Sequence, residues 1–133
     1  MKIFLDTNVL AAALATRGLC AELFEVVLQS HELLISNSII KELERILPEK
    51  WGQSESVTNG FIALLDEEAI LVSENRLSPL LPDPDDEPHI AAALSAKSDV
   101  FVTGNKMLSN LQSIEGMPII SPRGLWEMLA GRK

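Results

Sequence analysis

Short apolar runs recur along the chain at residues 3–5, 33–35, 70–72, 100–102 and 118–120, each of a length that suits a strand rather than a helix. Between most of them the apolar positions repeat with helical spacing. Residues 21–29 bring Leu23, Val26 and Val27 together; residues 37–47 do so with Ile39, Ile40, Leu43, Ile46 and Leu47; residues 57–65 with Val57, Phe61, Ile62, Leu64 and Leu65. Residues 89–96 are Ala-rich, and Ser121-Pro122 starts a last helix, with Ser121 as N-cap and Pro122 at the first helical position. Strands alternating with helices predict an α/β fold in which a parallel sheet of about five strands is covered on both faces. The stretch 73–88 carries Pro79, Pro82, Pro84 and Pro88 and reads as an irregular loop running into a helix. No repeat, low-complexity tract or linker divides the 133 residues, so one domain spanning 1–133 is expected.

Acids and amides stand where this pattern matters. In open parallel sheets the chemistry sits at the carboxyl ends of the strands. The first run leads straight to Asp6, which suits a metal ligand or a nucleophile; capping of the next helix by Asp6 or Asn8 is the structural alternative. Glu42 shares a helical stripe with Ile39 and Ile46, so it borders the apolar face, whereas Glu44 points away. In Asp83-Pro-Asp85-Asp86-Glu87-Pro88, helix capping accounts for one or two acids, but four in so short a stretch repel one another unless cations gather there. Asp86 and Glu87 both have the spacing to face inward and are rivals for one role. Thr103-Gly104-Asn105 follows the fourth run, where Gly104 allows a tight turn and Asn105 offers an amide oxygen or a helix cap.

Such an oxygen-rich set suits Mg²⁺ or Mn²⁺, which can acidify water and clamp a phosphoryl group. Other chemistries find little support. Cys20 is the single cysteine, so neither an intrachain disulfide nor a cysteine zinc site can form. His31 and His89 are far apart and lack HExxH spacing, and neither is assigned a catalytic role. No Gly-rich phosphate loop is present. The formal charge of −8, from 11 Lys+Arg against 19 Asp+Glu, counts against a generic DNA-binding surface. It is compatible with metal-bridged nucleic-acid chemistry or with a basic protein partner. Tyr is absent and aromatics are 5%, too few for a base-stacking platform. The apolar stretch 9–15 is too short to span a bilayer and Asp6 interrupts any signal-peptide pattern, so a cytoplasmic protein with no membrane contact is expected.

The pieces Phe4-Leu-Asp-Thr-Asn-Val-Leu10, Ile35-Ser-Asn-Ser-Ile-Ile-Lys-Glu-Leu43, Asp83-Pro-Asp-Asp-Glu-Pro-His-Ile-Ala-Ala92, Val102-Thr-Gly-Asn105 and Pro118-Ile-Ile-Ser-Pro122 resemble, in order and spacing, the PIN-domain family. Within it the chain looks most like the VapC-like toxins of prokaryotic type II toxin–antitoxin pairs. The resemblance implies a three-layer α/β/α sandwich and a Mg²⁺- or Mn²⁺-dependent endoribonuclease. It places Asp6 and Glu42 at metal-binding positions, with Asp86 favoured over Glu87 as the third acid. Asn8, Ser36, Thr103 and Asn105 match supporting polar positions, and Asn105 departs from the Asp often found there. Arg17, Lys41, Arg45 and Lys106 are candidate contacts for the RNA backbone. A small antitoxin and a homodimer are the implied partners. A catalytically weak or inactive PIN-like binding module is the alternative, which Asn105 keeps open. A haloacid-dehalogenase-type enzyme would need a second acid where Asn8 stands, and a receiver domain would need an Asp after a middle strand.

Overall fold

The structure is a computed structural model that describes residues 1–73, 81 and 84–131. Pro79, Pro82 and Asp83 of the proline-rich acidic stretch lie outside the described residues.

The five apolar runs all form strands: β1 (Lys2–Leu5), β2 (Glu32–Ser36), β3 (Ile70–Val72), β4 (Val100–Val102) and, in the chain's numbering of strands, β6 (Met117–Ile120). A further two-residue strand, β5 (Ser113–Ile114), pairs antiparallel with β6, so the sheet has six strands in the order β3-β2-β1-β4-β6-β5. All its other pairings are parallel. The expectation of about five parallel strands therefore holds for the core of the sheet, and β5 adds an antiparallel edge. Its brevity and its polar Ser113 leave no apolar run to read.

Seven helices stand between and after the strands among the described residues: α1 (Thr7–Ala15), α2 (Leu19–Ser30), α3 (Asn37–Glu49), α4 (Glu55–Glu68), α5 (Glu87–Ser95), α6 (Lys106–Ser109) and α7 (Pro122–Ala130). Ser121 caps α7 by accepting the Gly124 N–H at 3.0 Å, with Pro122 in the first turn. In β1 and β2 every residue after the first is buried, the signature of strands covered on both faces. Phe4 and Phe101 stack at 5.3 Å between ring centroids, joining β1 to β4 in the middle of the core. No helix among the described residues is long and apolar enough to cross a membrane.

This order fixes the position of the chemistry. β1 sits between β2 and β4, so its carboxyl end is flanked by the ends of two parallel neighbours. The first turns of α1, α3 and α5 are brought to the same edge.

Candidate active site

Asp6 follows β1 directly. Its backbone N–H donates to the Val102 carbonyl at 2.9 Å, which extends the strand pairing to the acid itself. Asp6 is also the N-cap of α1: Oδ1 accepts the Thr7 N–H at 2.8 Å. Oδ2 accepts the Thr103 hydroxyl at 2.8 Å. The capping and functional readings of this residue thus coexist. Burial pushes the Asp6 carboxyl above the usual carboxylate range, despite the hydrogen bonds and the nearby His89 that oppose the shift.

Glu42 lies on α3, whose N-cap Ser36 accepts the Ile39 N–H at 3.3 Å. Ile39, Leu43, Ile46 and Leu47 of that helix are buried, and Glu42 rides at the edge of their stripe while Glu44 is exposed. Glu42 Oε2 accepts a hydrogen bond from His89 Nε2 at 3.0 Å. That bond is the main cause that holds the Glu42 carboxyl below its ordinary value; burial opposes it, and the charge of His89 and the nearby Thr7 hydroxyl add to the lowering. For His89, burial alone would lower the pKa, but the bond to Glu42 and the charges of Asp6, Glu42 and Asp86 outweigh burial and raise it. The sequence alone assigns His89 no role. The signal that could have found it is its spacing of three from Asp86, which puts both on one face of a helix start.

Residues Pro84–Asp86 form a 3-10 turn that runs into α5. Asp86 Oδ2 accepts the Asn105 side-chain N–H at 3.4 Å. Asn105 caps α6 through its amide oxygen, which accepts the Met107 N–H at 2.9 Å, and its backbone N–H donates to the Thr103 hydroxyl oxygen at 3.0 Å. Asn105 therefore turns its amide nitrogen, not its oxygen, to the acids: it links Asp86 to the Thr103–Asp6 pair. Glu87 faces elsewhere, its Oε2 accepting the Leu81 N–H at 3.2 Å.

A cleft of about 720 Å³ opens over this edge. Asp6, Asn8, Glu42, Asp85, Asp86, His89 and Asn105 line it, and Glu87 does not. Lys41, Arg45 and Lys50 line it as well, in a row along and just beyond α3. Of the cations considered from sequence, Lys41 and Arg45 are thus in the cleft. Arg17 lines a separate groove with Glu22 and Glu25, and Lys106 is exposed at the start of α6. Lys50 lies past the amphipathic stretch, so the helical pattern does not single it out.

The residues fit a hard divalent cation in donor type and charge. Four carboxylates, those of Asp6, Glu42, Asp85 and Asp86, line one cleft, and Asp6 is a buried acid whose charged form is disfavoured by burial. His89 Nδ1 is a buried polar atom with no hydrogen-bond partner among the described residues. No group of three His, Cys, Asp or Glu side chains among the described residues is gathered closely enough to hold a metal alone.

The sequence matches a family model described as PIN domain over residues 2–107. No curated protein sequence matches it. Among solved structures, the chain is similar to VapBC2 from Rickettsia felis, bound to a DNA fragment from its promoter, with a TM-score of 0.67 and 13% identity over 91% of this chain and 98% of that one. It is similar to VapBC-1 from nontypeable Haemophilus influenzae at TM-score 0.64 and 21% identity, covering 92% and 99%. It is also similar to the PIN domain endonuclease Utp24 at TM-score 0.54 and 16% identity, covering 90% and 84%.

Proposed function

The chain belongs to the PIN-domain family, and from that premise we propose that it is a metal-dependent ribonuclease, the toxin of a type II toxin–antitoxin pair. The observation that carries the reading is the convergence of Asp6, Glu42 and Asp86, from three separate segments, on one cleft edged by Lys41, Arg45 and Lys50. The acids alone would repel a polyanion. A cation between them and a phosphodiester turns the same charge into a binding force.

Asp6, Glu42 and Asp86 would hold Mg²⁺ or Mn²⁺, which when bound neutralises phosphate charge and acidifies water. Asp6 is the anchor: two donors fix its orientation and its burial favours a cation partner. Asp86, tethered by Asn105 and less buried than Asp6, is the acid placed to accept the proton of the attacking water. Lys41, Arg45 and Lys50 grip the RNA backbone beside the acids. Asn8 and Ser36 support the edge, Ser36 by fixing the start of α3. Glu87 serves the turn before α5 rather than the cleft.

The likeness to two VapBC structures supports an antitoxin partner; a basic antitoxin side chain neutralising the acidic cleft, a homodimer and action in the cytoplasm are what we propose from the family resemblance. The alternative of a weak or inactive binding module has its own observation: Asn105 supplies an amide rather than an acid beside Asp86. One experiment separates the two. Labelled single-stranded RNA is incubated with Mn²⁺ or Mg²⁺, with EDTA, and with Asp6→Asn protein. Cleavage that requires both metal and Asp6 supports the nuclease; metal-independent cleavage, or cleavage retained by Asp6→Asn, sinks it. Absence of cleavage by folded protein that takes up no metal moves the reading to the binding module; absence of cleavage by folded, metal-binding protein points to a narrower RNA substrate.

A further inference from the structure

Each of the three acids is met by a donor from another element. Asp6 has the Thr103 hydroxyl, Asp86 has the Asn105 amide, and Glu42 has the His89 imidazole. The first two donors belong to the strand-end turn after β4. The third is of a different kind. His89 lies in the first turn of α5, in a helix whose other buried positions are Ile90, Ala91, Ala92 and Ala93. Its side chain is 4% exposed while that of Glu42 is 33% exposed.

A buried imidazole among alanines is not favoured by packing: a polar ring taken out of water is costly unless its nitrogens find partners. Here one nitrogen does and the other, Nδ1, has none among the described residues. Glu42 is therefore what the ring is held for. Geometry also decides which oxygen is restrained. Nε2 must carry the proton, because the carboxylate accepts, and the proton points at Oε2. The other oxygen, Oε1, is not engaged by the imidazole.

We propose that His89 is a positioning residue for Glu42: by engaging Oε2 it fixes the carboxylate and limits Glu42 to offering a cation a single oxygen, Oε1. This rests on the metal reading above. A glutamate has three side-chain torsions, and one that is a third exposed would otherwise sample several rotamers. The imidazole removes that freedom from the rigid side of the cleft, because α5 is packed into the core. Donors that orient metal-binding carboxylates act on affinity as well as geometry.

The test is Mn²⁺ titration calorimetry on the metal-free protein, with thermal melting as the check of folding. His89→Leu keeps bulk and removes the donor; His89→Gln keeps an N–H donor. His89→Leu should bind Mn²⁺ about 10–100-fold more weakly, and His89→Gln should recover most of the loss. In a Glu42→Gln background the same His89→Leu change should cost nothing further, because the residue it positions is gone. A folded His89→Leu protein with wild-type affinity, or an equal loss in both backgrounds, overturns the proposal alone. Wild-type protein that takes up no Mn²⁺ overturns the metal reading and this proposal with it. Should His89→Leu fail to fold, nitrogen-15 spectra of the wild-type imidazole still decide. A protonated Nε2 whose signal moves on adding diamagnetic Mg²⁺ supports the role, and a ring protonated on Nδ1 alone, or one indifferent to Mg²⁺, overturns it.

Discussion

The Thr103 hydroxyl donates to Asp6 Oδ2 at 2.8 Å across 97 positions of sequence. It is a short bond between a buried hydroxyl and a buried acid, at the junction of β1 and β4. Replacing Thr103 by Val keeps the shape and removes the donor. Such a bond to an ionisable group contributes about 1.5–3 kcal/mol, so Thr103→Val should lower the urea-unfolding free energy by about that amount at neutral pH. An unchanged midpoint would mean that the bond does not restrain Asp6.

Asp6→Asn should separate activity from stability. Burial holds the Asp6 carboxyl above the usual range, so ionising it works against the metal-free fold. A neutral amide of the same size relieves that cost. Metal-dependent cleavage should fall by more than about 100-fold, the upper end of what losing a mere orienting partner costs. The metal-free melting temperature should hold or rise. A drop of several degrees would mean that the carboxylate serves the fold and not a cation.

Stability of the metal-free protein should vary with pH in a manner that depends on His89. Its folded pKa lies above the ordinary 6.5, so the stability it contributes is complete below 6.5 and is lost as pH rises through the raised value. Glu42 acts at the other end: its folded pKa lies below 4.5, so its contribution is present above 4.5 and lost as pH falls through the lowered value. Asp6 opposes both, losing stability as pH climbs from 3.8 toward its raised value. The difference in melting temperature between wild type and His89→Leu should therefore shrink as pH rises beyond 6.5. A difference that stays flat from pH 6 to pH 9 would contradict it (pH limits of about this range bracket the imidazole titration).

Lys41, Arg45 and Lys50 should act on binding and not on chemistry. For single strands the salt dependence of affinity has a slope of about 0.7 per phosphate contact. Replacing all three by Ala should raise KM, leave kcat nearly unchanged and reduce that slope by about 2. The Arg45–Glu49 pair is exposed at 3.7 Å, so its loss should scarcely alter folding. An unaltered salt slope would place the RNA path elsewhere.

Apolar runs are legible because a strand buried on both faces needs them, and β1, β2 and β4 meet that need almost without polar residues. The two-residue β5 and the four-residue α6 carry no such requirement, since neighbouring elements hold them. At the site, Asp6 and Asn105 were legible from their places after strands, and Glu42 from the stripe it borders. His89 was not, because a lone histidine in an Ala-rich stretch has no local signature; its meaning comes from Glu42, which lies 47 positions away. Asn105 was legible as a cap but not as a bridge, since the direction of its amide is set by contacts with both Asp86 and Met107.

The central place of β1 has a consequence for synthesis. Asp6, Glu42 and Asp86 are all encoded before Val100, yet β1 gains its second parallel neighbour only when β4 is made. A nascent chain that has exposed all three acids still lacks the strand that seats Asp6 and the Thr103 hydroxyl that orients it. Pairings between such distant segments form late. A chain released before β4 would thus carry every acid without the strand and hydroxyl that seat Asp6, so translation itself delays assembly of the cleft until β4 and Thr103 have been made.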